Sequence, residues 1–428
     1  MKPQRIPANK HRIDPNEISR NATKVIETLH QAGFQAYLVG GGIRDLLLGL
    51  HPKDFDVSTD ARPEQVTNLF PRSRIIGRRF RIAHVYFGRE IIEVTTFRGH
   101  HPEEEENHPH AVKNETGQLL RDNIYGSVEE DAIRRDFTAN SLYYDLKDRT
   151  LLDYTGAFDD ICQRRLRAIG NPARRYREDP VRMLRAVRFA AKLDFAIDPE
   201  SAQPIHELSD LLNHIPPARL FDEFLKLFLS GNGEKTFSLL QKYGLFRHLF
   251  PDTSLNLNLD YQQKLIGLAL RNTDQRISEN KGVTPAFLLA VLLWGPLQSR
   301  YERLIANGEA PVIAMQQASH QAVADQLKTI SIPRRFSIPM RDIWHLQLRL
   351  ERRSGKRAER LLTHPRFRAA YDFLLLREES GEPKQELQIG LGQWWTDYQQ
   401  ANTAQQKKML GALGRQKSSR KRRSRKQR

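Results

Sequence analysis

The segment Leu38-Val39-Gly40-Gly41-Gly42-Ile43-Arg44-Asp45, followed by Asp54-Phe55-Asp56, constrains this chain more than any other feature. Three consecutive glycines suit a tight turn whose backbone N–H groups can approach an anion closely, and the residues after them read as a short helix. Asp54 and Asp56 at i and i+2 on a strand share one face, with Phe55 on the other. Two carboxylates fixed side by side repel each other unless a cation lies between them. Mg²⁺ is the expected cation, because it is hard, takes oxygen ligands, and is usually held by one or two carboxylates plus substrate phosphates. Alone, an Asp-x-Asp is commonly a solvated strand edge, and a glycine run only a turn. At this spacing the two describe a site that handles a nucleotide. The Gly-Lys-Ser/Thr ending of a P-loop is missing, and so is the glycine spacing of a dinucleotide fold.

Length and charge extend this reading. A chain of 428 residues suggests two or three domains, and a net charge of +17 predicts an anionic partner, nucleic acid or an acidic membrane surface. The last fourteen residues, Arg415 to Arg428, hold nine Lys or Arg and no acid; taking nine from +17 leaves +8, so the body is basic as well. The single cysteine, Cys162, excludes an internal disulfide and a cysteine-rich zinc site and fits a reducing cytoplasm. Met1 to Asp14 lacks an apolar signal core, and the longest apolar run, Ala286 to Trp294, is too short to span a membrane and reads as a buried helix.

Along the chain, Asp14-Pro15-Asn16-Glu17 predicts a capped helix start, with Ile18, Ala22, Val25, Ile26 and Leu29 as its buried stripe and Gly33 as its stop. Strands are expected at 35–39, 53–58, 73–77, 80–87 and 90–97, with a helix at 63–70, giving an α+β head. From about residue 160 the apolar spacing becomes helical, as at Val181, Leu184, Val187 and Ala190. Pro216-Pro217, Gly231-Asn232-Gly233 and Gly295-Pro296 read as breaks between helices. Residues after about 401 lose periodicity and are expected to be disordered. His100, His101, His108 and His110 share no helical or strand spacing and read as a mobile loop rather than a metal site.

With the runs Glu130–Asn140 (EDAIRRDFTAN) and Arg177–Phe189 (REDPVRMLRAVRF), the chain resembles the class II nucleotidyltransferases, the superfamily of bacterial poly(A) polymerases and CCA-adding enzymes. Arg341-Asp342-Ile343-Trp344 and His364–Tyr371 resemble the poly(A) polymerase branch in particular. The resemblance implies a DNA polymerase β-like α+β head at 14–155 and an all-α neck at 156–230 that recognises the nucleotide. It further implies an all-α RNA-binding body at 231–400 and a disordered basic tail at 401–428. The reaction implied is nucleotidyl transfer from ATP to a 3′-hydroxyl with Mg²⁺, in which charge builds on oxygens and catalysis rests on metals and positioning. Asp54 and Asp56 are the expected metal ligands and catalytic carboxylates. Glu93, on a strand expected beside them, and Asp136, placed near the nucleotide by the resemblance, are both candidates for a third. Gly40, Gly41, Arg44, Arg134 and Arg135 are expected to meet phosphate or ribose. The resemblance gives base selection to Asp179 and Arg182, three apart and expected on one helical face; from the residues alone they read as a surface ion pair.

The resemblance implies untemplated AMP addition to RNA 3′ ends, with tRNA CCA addition as the alternative. The turn Gly77-Arg78-Arg79-Phe80, the C-terminal half and the polycationic tail favour the first. RNA turnover, RNA-decay proteins as partners, a cytoplasmic location and a monomeric state are the accompanying expectations. The tail residues Arg420, Lys421, Arg422, Arg423, Arg425 and Lys426 are expected to hold RNA phosphates, although such a run also suits anionic lipid or solubility. Truncation after Arg415 should therefore weaken RNA binding and flatten its dependence on salt, measured by titration at several salt concentrations, and leave the chemical step nearly unchanged.

Overall fold

The computed structural model describes residues 2–77, 81–99, 111–113, 119–122, 124–383 and 390–413. Arg78-Arg79-Phe80, the four histidines at 100, 101, 108 and 110, and the tail arginines and lysines fall outside them. The chain divides into two compact units, Met1–Leu212 and Asn213–Arg428.

The first unit is built on a mixed sheet. Its strands are β1 (Gln4–Ile6), β2 (Ala36–Val39), β3 (Asp56–Thr59), β4 (Ser73–Ile76), β5 (Ile82–Phe87) and β6 (Glu90–Thr96), with β7 (Ala111–Lys113) and β8 (Leu119–Asp122) as a separate hairpin, then β9 (Tyr143–Asp145) and β10 (Thr150–Asp153). The order across the sheet is β1-β10-β9-β2-β3-β6-β5-β4. Every neighbouring pair is antiparallel except β3 and β6, which run parallel and place Asp56 opposite Glu93. That parallel pair needs a crossover, and α3 (Pro63–Leu69) with the β4–β5 hairpin supplies it.

Helix α1 (Arg20–Gln31) packs on β2 and β3. Its stripe Ala22, Val25, Ile26 and Leu29 is fully buried, and Gly33 follows at φ +87°, as the sequence pattern predicts. Its start differs from the expectation. Asp14 caps only a short 3₁₀ turn at Pro15–Glu17; extended Ile18 interrupts it, and Ser19 caps the helix proper by accepting from the N–H groups of Asn21 and Ala22. The next helices are α2 (Gly41–Leu47), α4 (Val128–Arg134), α5 (Ala157–Cys162), α6 (Pro172–Glu178) and α7 (Val181–Leu193). A two-stranded parallel pair, Arg165–Leu166 with Ala196–Ile197, interrupts the helical pattern after residue 160.

The second unit is helical throughout its described residues. Phe224, Phe228, Phe246 and Phe250 form one aromatic core with centroids 5.5–6.5 Å apart. The apolar run at 286–294 forms the buried helix Pro285–Leu292 and enters a second, Trp294–Ala306. Gly295-Pro296 is corrected from a break to the first turn of that second helix, where proline's missing N–H costs nothing. Residues 403–413, expected to be disordered, are helical, because Met409 and Leu410 find a partner in the cluster around Trp395 and Tyr398. Among the described residues no helix is long and apolar enough to cross a membrane.

A buried ion pair locks this unit. Arg377 Nε and Nη2 donate to the two oxygens of Glu382 at 2.6 and 2.7 Å, and Trp294 Nε1 and Gln298 Nε2 donate to the same carboxylate. The guanidinium also donates to Gln347 Oε1 and lies 4.4 Å from the Trp294 ring centroid. Cutting Glu382 back to Ala leaves a buried cation uncompensated, so E382A should lose about 3–5 kcal/mol in chemical denaturation of the whole chain. An Arg377→Met/Glu382→Leu double variant should lose distinctly less.

Candidate active site

The site grows from the turn between β2 and α2. Gly40 sits at φ +77°, and a Cβ there would lie 3.4 Å from Asp56 Oδ2 and 3.6 Å from Arg135 Nη1. A Cβ on Gly42 would meet the Asp54 carbonyl oxygen at 3.2 Å and the Phe55 ring at 3.3 Å. The glycines are therefore needed because the Asp-Phe-Asp segment presses directly against the turn, the Phe55 ring buried against Gly42. Val39, the residue before Gly40, is the antiparallel register partner of Asp56.

Asp56 opens β3; Asp54 precedes the strand and is exposed. The expectation that both lie on a strand is corrected to this: the turn's contact with Phe55 delays sheet pairing until Asp56. Glu93, half exposed on β6, faces Asp56 in register and lies 3.4 Å from His84 Nε2. Burial, then the Glu93 charge and to a lesser extent Asp54, push the Asp56 carboxyl up to about 6, although the Arg135 guanidinium opposes them. Among the described residues no group of three or more His, Cys, Asp or Glu converges at ligating distance. Asp54 and Glu93 are exposed enough to turn toward Asp56 when a cation draws them. A half-buried carboxyl destabilised by two other carboxylates, all with hard oxygen donors, fits a divalent ion.

Arg135 is fixed from three sides. Its Nε donates to Tyr143 Oη at 3.0 Å, Nη1 to the Asn140 carbonyl at 3.1 Å and Nη2 to Asp131 Oδ2 at 3.1 Å. Asp131 in turn accepts from Tyr143 Oη at 2.5 Å and Ser58 Oγ at 3.3 Å. Arg134 Nη1 donates to the Gly99 carbonyl. Burial and the charges of Arg98, Arg175 and Arg182 push Arg134 down to about 10, with Glu178 opposing. Arg98, Arg134, Arg175 and Arg182 thus form a cationic cradle, partly offset by Glu178, which pairs with Arg174, Arg175 and Arg182.

Other candidates sit differently from expectation. Arg44 is buried: its guanidinium donates to Asp45 Oδ1 and to Asn140 Oδ1 and packs 5.7 Å from the Phe189 ring centroid, so its fork is directed inward. Asp136 is held by Arg185 at 2.5–2.7 Å and by its own Phe137 N–H; despite burial, the Arg185 charge keeps its carboxyl below the usual range. Asp179 and Arg182 do not share a helix. Asp179 is extended, at φ −149°, between α6 and α7, and its Oδ1 accepts from the Val181 N–H. The bend comes from Pro180, which disfavours helix at the residue before it. Arg182 donates instead to Glu178 Oε2 at 2.9 Å.

The sequence singles out no role for Arg175, Asp131 or Tyr143, and Glu178 enters only as the first residue of the base-selecting run Glu178–Arg182. Arg175 Nη2 donates to the carbonyls of Arg134 and Arg135 at 2.5 and 2.7 Å, and its Nη1 reaches Glu178. The i,i+3 spacing of Arg175 and Glu178 was a visible signal for half of this clamp; nothing in the sequence announces a bond to backbone carbonyls.

Fold and site together define a nucleotidyltransferase. Three family models match: "Poly A polymerase head domain" over residues 36–167, "Probable RNA and SrmB- binding site of polymerase A" over 194–256, and "Polymerase A arginine-rich C-terminus" over 307–428. Poly(A) polymerase I of Salmonella typhimurium is 51% identical over 98% of this chain and 91% of its own length. A CCA-adding enzyme of a Geobacillus strain is 38% identical, but over only 54% of each chain. The crystal structure of the Bacillus stearothermophilus CCA-adding enzyme in complex with CTP aligns at TM-score 0.53 and 26% identity, covering 89% of this chain and 80% of that one. The chain belongs to the bacterial poly(A) polymerase I family.

The raised Asp56 carboxyl makes a testable link between stability and function. Its proton is held more tightly folded than unfolded, so metal-free stability is highest below about pH 4 on this account and is lost as pH rises through about 6. Asp56→Asn should stabilise the metal-free chain at pH 8 by up to about 3 kcal/mol, read as a higher melting temperature, and eliminate activity.

Proposed function

We propose that this chain adds AMP from ATP to RNA 3′ ends without a template, releasing pyrophosphate, and that the tails promote RNA turnover. The observation that carries this reading is 51% identity with poly(A) polymerase I across nearly the whole chain, head to C-terminus, where the CCA-adding relative matches only half.

Asp54 and Asp56 would hold Mg²⁺. The register of Glu93 with Asp56 supports Glu93 as the third carboxylate over Asp136, whose oxygens are occupied by Arg185 and the Phe137 N–H. A bound divalent ion supplies charge neutralisation at the attacking and leaving oxygens. The N–H groups at Gly40 and Gly41 and the guanidiniums of Arg98 and Arg134 receive the triphosphate, with Arg135 held beside Asp56. Arg44, turned inward, sets the position of α2 beneath the turn. Asp179 and Arg182 read the adenine edge: a carboxylate accepts from the exocyclic amine, a guanidinium donates to a ring nitrogen, and Glu178 orients Arg182. The match of residues 194–256 and 307–428 to RNA-binding and arginine-rich models supports RNA as the acceptor. A monomer working in the cytoplasm with RNA-decay proteins completes the proposal.

Each nucleotide offered separately with one unstructured RNA decides it. ATP should give long tails, and Asp54→Ala or Asp56→Ala should lower the rate by roughly 10³-fold or more. Extension by Asp54→Ala would remove the catalytic assignment. Efficient CMP addition to tRNA lacking its CCA end would replace polyadenylation with CCA addition.

A further inference from the structure

A cavity of about 530 Å³ opens in the first unit, on the far side of α2 from the glycine turn. Its size is that of a small-ligand site. One wall is the end of α2, Leu47-Leu48, joined by Phe158 of α5; the rim carries Lys10, Arg12 and Arg164. Lys10, Arg12 and Arg164 are exposed, and Phe158 is half buried. Among the described residues Lys10 and Arg12 make no ion pair, and Arg164 meets Asp194 only at 3.9 Å between two exposed side chains, a pairing worth little. The rim is rigid. His11 Nε2 contacts the Arg149 carbonyl at 2.9 Å and packs its ring edge-on against buried Tyr144. Arg164 ends α5 in the left-handed region, φ +52°, a position where glycine is the unstrained residue.

Three cations around an apolar and aromatic wall are the chemistry of single-stranded nucleic acid binding: phosphates meet the charges, and a base lies against the ring and the leucines. Helix α2, seven residues long, spans about 10 Å, so this cavity stands one short helix from the turn that faces Asp56. On the function proposed above, the 3′ end lies at the carboxylates, one short helix from this cavity.

We infer that this cavity is a subsite for the RNA chain upstream of its 3′ end, with phosphates on Lys10, Arg12 and Arg164 and a base against Phe158. The inference rests on RNA being the acceptor, as proposed above.

Cys162, exposed on the same cavity and the only cysteine in the chain, supplies a direct reporter. Burial and neighbouring Asp159 push its thiol up, so alkylation by N-ethylmaleimide is followed at pH 8.5 on the full chain. A 15-nucleotide oligo(A) should slow alkylation at least fivefold at saturation, and ATP or poly-glutamate should not. In a Lys10→Glu/Arg12→Glu/Arg164→Glu variant that melts at the same temperature, the oligonucleotide should no longer protect, and the slope of log affinity against log salt should fall by about 2. Unprotected Cys162 in a chain that still extends RNA overturns the subsite and leaves the polymerase reading intact. Protection by poly-glutamate, or by ATP as well as by RNA, overturns it too. Failure to extend any RNA while RNA still protects Cys162 overturns the proposed reaction and leaves the subsite standing.

Discussion

The buried carboxylate of Asp131 is the joint on which the head depends. It accepts from Tyr143 on β9, Ser58 on β3, the backbone N–H of Arg98 after β6, and Arg135 at the end of α4. One anion thereby ties the sheet's two halves to the helix that carries the second motif. A buried carboxylate is tolerable only with its counter-ion, and the counter-ion here is the guanidinium that also stands beside Gly40 and Asp56. The same ion pair that fixes the fold thus places a positive charge beside the Asp56 carboxylate. Arg135 holds down an aspartate that burial and two other acids push up.

The arginines of this region divide into two groups that composition cannot separate. Arg44 and Arg185 are committed to partners within the protein, Asp45 and Asn140 for the first and Asp136 for the second. Arg98, Arg175 and Arg182 repel Arg134, and Glu178, paired with Arg174, Arg175 and Arg182, opposes that repulsion. Arg182 and Arg185 stand three residues apart on α7 yet fall on opposite sides of this division. Asp136, gripped by Arg185, immediately follows Arg134 and Arg135.

Much of this was legible in the sequence because it obeys local rules. The stripe of α1, a strand carrying Glu93 beside the Asp-x-Asp segment, and the family motifs were all expected from the sequence; that this strand runs parallel to β3 was not. The differences arise where a tertiary contact outweighs a local preference. Asp54 leaves the strand because Phe55 packs on Gly42. Asp179 is different: Pro180, the next residue, keeps it out of the helix, and that signal was local and legible. Arg44 turns inward because Asn140, ninety-six residues away, accepts a hydrogen bond from its guanidinium. Residues 403–413 become helical because Met409 and Leu410 have a core to cover. A single sequence carries no sign of a partner so distant along the chain.

The Arg175 clamp grips carbonyl oxygens, not side chains. It therefore registers the path of the backbone at residues 134 and 135 and is indifferent to which residues stand there. A substitution at Arg134 can change what the cradle offers a ligand while the joint between α6 and the motif keeps its geometry; Arg135 lacks that freedom, because its side chain is the counter-ion of Asp131. At Arg134, ligand preference and mechanical coupling are borne by different atoms of the same residue, so one can be altered without undoing the other.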